Sequence, residues 1–163
     1  MSEIARIARL LEQTFECKPY YGPSVLGALT GVTAAMAVGK PHWSAHSIWQ
    51  LMAHLTAELI YARTVIEGTA GPWIAGETTW PAIIDTSDAA WQQAIHDLKK
   101  ANRALVRAVQ DLNDDVLDKK PIRVRGPFYL MLHGTMQHKI YHAGQISLLT
   151  GQMTSADREE PRE

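Results

Sequence analysis

Four stretches of the chain repeat apolar residues three and four positions apart over several turns, and this periodicity constrains the fold more than any other feature. The first runs from Glu3 to Phe15, with Ile4, Ile7, Leu11 and Phe15 in step and Ser2 placed to cap it. The second starts near Ser44 and ends before Gly68, with Ile48, Leu51, Met52, Leu55, Leu59, Ala62 and Ile66 on one side. The third follows Ser87 and runs from Asp88 to Leu112. Trp91, Ile95, Leu98, Leu105, Val109 and Leu112 make it the cleanest stripe, broken only by Asn102. The fourth opens near Pro127 and closes at Gly151, a natural stop signal. Four one-sided helices with little strand signal imply an all-α protein, an antiparallel four-helix bundle.

Shorter features fill the gaps. A brief helix is expected from Pro23 to Leu29 and another turn or two from Thr33 to Val38. Arg123-Val124-Arg125 alternates like a short strand but has no evident partner. The second and third long helices are joined by a long loop, Thr69 to Asp85, holding Gly71, Pro72, Gly76 and Pro81 together with Trp73 and Trp80. Its tryptophans either cover a pocket or pack the loop onto the bundle. At 163 residues one domain is expected, over residues 1–154. Residues 155–163, charged and without an apolar face, are expected to be a flexible tail.

Composition narrows the classes. One cysteine, Cys17, excludes an intrachain disulfide framework and a multi-cysteine zinc site. A formal net charge of -1 shows no basic excess, so no nucleic-acid partner is expected. The most apolar run, Val25 to Val38, is interrupted by glycine and threonine and falls short of the ~18 residues that span a bilayer. The start of the chain carries no basic-then-apolar leader pattern. These features lead to the expectation of a cytoplasmic protein with no membrane partner.

The seven histidines carry the chemistry. His138 and His142 stand four apart, roughly 40° of rotation on a helix, so their imidazoles share one face. That face is the stripe meant for the core. Two buried imidazoles side by side are costly without partners, and a divalent transition metal is the simplest partner. A third ligand must come from another helix. His54, mid-helix at the edge of an apolar face, is the best candidate, with Glu58 one turn on and Gln50 one turn back. Lys139 stands where a zinc protease of the HExxH type carries its glutamate, which excludes that class. His42, His46, His96 and His133 fall out of register and are expected at the surface or at caps.

Three histidines leave a four-coordinate metal one open position, as catalytic sites do and structural zinc sites usually do not. Glu58 is the candidate catalytic residue, as a general base or ligand-orienting group; the alternative is a solvated helix carboxylate. Gln145 is a candidate to donate a hydrogen bond behind the ligands; the alternative is a polar residue at the edge of the stripe.

Three segments resemble a known family. Tyr141-His142-Ala143-Gly144-Gln145-Ile146, preceded by His138, resembles the last-helix motif of the DinB-like (DinB/YfiT) superfamily. Ser47-Ile48-Trp49-Gln50-Leu51-Met52-Ala53-His54-Leu55 resembles its second-helix motif, and Tyr21-Gly22-Pro23-Ser24-Val25-Leu26 its early segment. The resemblance covers about Leu10 to Gly151 in the right order. It implies a four-helix bundle with a metal, zinc or nickel, held by His54, His138 and His142, and a homodimer. Its implied activities are thiol S-transfer using a low-molecular-weight thiol, mycothiol-dependent isomerisation, or metal-dependent hydrolysis of a small-molecule substrate. Thiol transfer is the first expectation on the resemblance alone. A non-catalytic metal-binding stress or ligand-binding protein is the competing class.

Overall fold

The computed structural model describes residues 1–17, 19, 20, 22–72 and 79–159, with residues 154–159 by backbone alone. Among these the chain is all-helical, without strands. The elements are α1 (Glu3–Phe15), α2 (Val25–Ala28), α3 (Ala34–Val38), α4 (Ile48–Ile66), α5 (Asp88–Gln110), a 3-10 turn (Asp114–Val116) and α6 (Phe128–Glu159). The caps explain the starts. Ser2, Ser24, Thr33, Ser47 and Ser87 each accept a hydrogen bond from a first-turn backbone N–H. Ser47 and Gln50 form a reciprocal capping box, so α4 begins at Ile48 rather than near Ser44. Asp114 adds a second cap from across the chain: its carboxylate accepts from the backbone N–H groups of Glu3 and Ile4 at 2.9 Å each. These bonds hold its carboxyl below the ordinary range.

The apolar faces then determine the packing. α4 lies against α5 and α6, and α1 lies against the same two helices. α2 packs on α6, and α3 on α4. Ile7, Leu11, Leu55, Leu98, Leu105 and Ile146 are buried in the shared core. Trp91 ties α5 to the loop after α2, its indole N–H donating to the Val32 carbonyl at 3.0 Å. Along the α4–α6 contact, Leu51 shares a hollow with Leu148 and Leu149, and Glu58 shares a cleft with Met131 and Thr135. Earlier positions of α4 therefore face later positions of α6, and the two helices run in opposite senses.

Two expectations fail for clear reasons. α6 does not close at Gly151. That glycine is helical rather than left-handed, so no αL cap forms and the helix continues to Glu159, which takes in the first part of the expected tail. Residues 160–163 of that tail lie outside the described residues. The Arg123–Arg125 segment is a turn, not a strand. Arg123 takes φ 63°, and its Nε–H donates to the Ala70 carbonyl at 3.3 Å.

The core also holds an unexpected charge. Lys139 is 1% exposed. Its ammonium donates to the Leu11 carbonyl at 3.1 Å and to Asn102 Oδ1 at 2.5 Å, 5.6 Å from the centre of the Phe15 ring. Burial lowers its pKa to about 7. Asn102, the one break in the α5 stripe, is thus the polar group that receives it. No helix among the described residues is long and apolar enough to cross a membrane.

Candidate metal centre

α4 supplies His54, and α6 supplies His138 and His142 one turn apart. All three present a ring nitrogen within 4.8 Å of the others, close enough to hold a metal ion. His54 and His142 are buried, and His138 is half-buried.

The hydrogen bonds behind the rings define which nitrogens face inward. His54 Nδ1 lies 2.7 Å from the Thr79 carbonyl oxygen. A carbonyl only accepts, so Nδ1 carries the hydrogen and Nε2 presents a lone pair. His142 Nδ1 donates in the same way to Gln145 Oε1 at 2.6 Å, while the Gln145 amide nitrogen donates to the Tyr141 hydroxyl at 3.2 Å. Gln145 therefore does sit behind a histidine, but it accepts from the ring rather than donating to it. The two lone pairs converge on His138 Nε2, at 3.2 Å from His54 Nε2 and 2.8 Å from His142 Nε2.

Three neutral imidazoles cannot satisfy this arrangement. One hydrogen on His138 Nε2 answers one neighbouring lone pair and leaves the other facing it. A divalent cation accepts all three. With bonds of about 2.0–2.1 Å, a tetrahedral ion sets its ligand nitrogens about 3.3 Å apart. The His54–His138 separation already matches, and the His138–His142 pair needs to open by about 0.5 Å. The donor set therefore fits a metal ion. Protonation does not compete at neutral pH. Burial, with neighbouring His142 and His54, lowers His138 to about 4. Burial also lowers His142 to about 4, against the opposing bond to Gln145 and assisted by His54 and His46. Both rings are in the neutral form that ligates.

The loop before α5 contributes a wall. Trp80 stacks on His54, with ring centres 4.1 Å apart and planes 11° from parallel, and on His46 at 3.6 Å and 4°. His46 is therefore half-buried beside the centre and is not a surface or capping residue. Trp80 packs the loop onto the bundle, the second of its two readings, and does so against the rings of His54 and His46, while Trp73 lies outside the described residues. His42 and His96 are exposed, and His133 donates from Nδ1 to the Tyr129 carbonyl at 2.8 Å, all away from the centre.

Glu58 lies one turn beyond His54, half-buried. Burial raises its carboxyl above the ordinary range, partly offset by His54. It lines a cleft of about 430 Å³ between α4 and α6 with Leu55, Leu59, Met131 and Thr135, and His138 stands at its end. Sequence reasoning missed His46 and Tyr141 as neighbours of the centre. The spacing of Tyr141 from Gln145, four residues, was the one available signal. Comparison with protein-family models, with curated proteins and with solved structures finds no match to this chain.

Proposed function

We propose that the chain is a metal-dependent enzyme acting on a small molecule, with zinc or nickel held by His54, His138 and His142. The observation that carries this reading is the convergence of three Nε2 atoms at the end of a cleft, with two of the rings pinned from behind by Thr79 and Gln145. We read α1, α4, α5 and α6 as an antiparallel four-helix bundle of the DinB-like kind, on the strength of the histidine motifs, and expect a homodimer on the same ground.

Bound there, the ion supplies Lewis acidity that lowers the pKa of a thiol or a water. The chain supplies the rest. The Thr79 carbonyl and Gln145 fix the tautomer and the aim of two imidazoles. Trp80 backs His54 and keeps water from its outer face. Glu58, raised by burial, is placed to take a proton from a nucleophile entering the cleft and to return it to a leaving group. Thiol S-transfer, with a low-molecular-weight thiol as co-substrate, is the first reading and rests on the resemblance. Hydrolysis is the second, favoured by the position of Glu58. A non-catalytic metal-binding role is the third.

Metal content of protein purified without a nickel column tests the proposal. About one transition metal per chain, lost in His54→Ala and in His138→Ala, supports it. No metal, and no uptake of added zinc or nickel, overturns it. Thiol addition to standard electrophiles against ester or amide cleavage then separates the first two readings. His142→Ala separates both from the third: a catalytic site loses activity with a modest change in stability, whereas a structural site loses much of its stability with the metal.

A further inference from the structure

The cleft between α4 and α6 carries more information than its position beside the histidines. Its walls are mostly apolar, from Leu55 and Leu59 on one side to Met131 on the other, with Tyr61 and Thr135 among them, and it extends along α4 to Val65. From Leu55 to Val65 the helix rises about 15 Å, so the space is elongated. Among the described residues that line it, Glu58 is the single charged side chain, and it lies toward the histidine end. Its carboxylate has no ion-pair or hydrogen-bond partner among the described residues. The three ion pairs found there, Arg6–Glu3, Arg63–Glu67 and Lys119–Asp115, all lie elsewhere. A half-buried carboxylate without a partner invites a donor or a cation.

Two backbone features border the cleft. Gly134 sits inside α6, where glycine is a poorer helix residue than alanine. A Cβ built on it meets nothing within 4 Å, so close packing does not demand the glycine, and the space it leaves belongs to the cleft. Arg123 holds a left-handed backbone that an L side chain rarely adopts, and its neighbour Val124 forms part of the cleft wall.

Resting on the metal-enzyme reading above, we propose that this cleft is the substrate site and takes a molecule with an elongated apolar body and a positively charged amine head. The head pairs with Glu58 close to the histidines, and the body runs toward Val65 and Val124. An anionic head is repelled by the same carboxylate.

Calorimetric titration with 4-phenylbutylamine, 4-phenylbutanol and 4-phenylbutanoate tests this, because the three share one body and differ in head charge. Each is titrated into zinc-loaded and metal-free protein, with zinc uptake measured separately. The expected result in the metal-free protein is amine binding about tenfold or more tighter than alcohol, with the carboxylate weakest; zinc, a nearby cation, narrows that preference. Glu58→Gln brings the amine to within about threefold of the alcohol. Gly134→Leu weakens amine and alcohol alike by about tenfold or more, with helix content and zinc uptake retained. Gly134→Ala, one methyl placed in open space, retains binding. In the metal-free protein, absence of amine binding, a carboxylate bound as tightly as the amine, or an amine preference that survives Glu58→Gln overturns the proposal. Zinc uptake without an amine preference sinks this inference alone, and an amine preference without zinc uptake sinks the metal reading alone.

Discussion

His138 and Lys139 are neighbours in sequence, yet they enter two buried polar regions of opposite character. A step of one residue turns a helix by about 100°, so His138 faces α4 and the cleft while Lys139 faces α1 and α5. The lysine region is closed: its two acceptors, the Leu11 carbonyl and Asn102 Oδ1, each receive an N–H from Lys139, and the Phe15 ring lies beside the third. The histidine region is open: lone pairs outnumber donors, and the surplus faces inward. A polar group whose partners balance is part of the scaffold, whereas one whose partners do not balance is waiting for a ligand. Counting donors against acceptors separates the two where burial alone does not.

The largest expected effect breaks the closed side. Lys139→Ala leaves a cavity and removes the donor to the Asn102 amide oxygen, and is expected to lower unfolding free energy by about 3 kcal/mol in urea denaturation. The metal stoichiometry of the folded fraction should not change. A loss below about 1 kcal/mol shows that the lysine is not part of the core.

His138→Ala should do the reverse. Metal affinity is expected to fall about 100-fold or more, a change of roughly 2.7 kcal/mol in binding, because one of three ligands is gone. Stability of the metal-free protein should change by less than about 1 kcal/mol, since the removed ring faced two others with too few hydrogens. A large loss of metal-free stability would place this histidine with the lysine, as scaffold.

Gln145→Ala tests the support behind the ligands and should weaken metal binding by about tenfold, read by competition with a chelator. An unchanged affinity would mean that the Gln145 contact does not orient His142.

The effects of pH on the metal-free protein test both regions at once. His138 and His142 are lowered to about 4, so between there and the ordinary value of 6.5 the unfolded chain binds more protons than the folded one. Stability should therefore decline as pH falls from 6.5 through 4. Lys139, lowered from 10.5 to about 7, has the same sign in another window: stability should rise as pH climbs from 7 toward 10.5. Lys139→Met should remove the alkaline slope and leave the acid one. Thermal melts across pH check both, and a single slope shared by both variants would merge the two regions.

Much of the fold was legible because helical periodicity and serine caps are local. Ser2 and Ser87 mark the starts of two of the long helices, and the stripes of α1 and α5 coincide with their buried faces; the start of α4, expected near Ser44, is set instead by the Ser47–Gln50 capping box. The end of α6 was not legible, because a glycine stops a helix only when its backbone turns left-handed, and Gly151 does not. At the centre, the spacing of His138 and His142 was readable, since both lie on one helix. His54 could be nominated from its position on an apolar face, but its distance from the other two depends on how α4 meets α6.

The sequence by itself determined which segments are helices, which face of each is apolar, and that two imidazoles on α6 point the same way, because each follows from a repeat of about 3.6 residues. Tertiary packing decided the remainder. It set His54 against His138, laid Trp80 over His54 and His46, and sent Lys139 to Asn102 across 37 residues of chain. It also left the space beside Gly134 unfilled. These are long-range contacts between side chains on different elements. Their formation depends on how whole helices fit together, which no local pattern encodes.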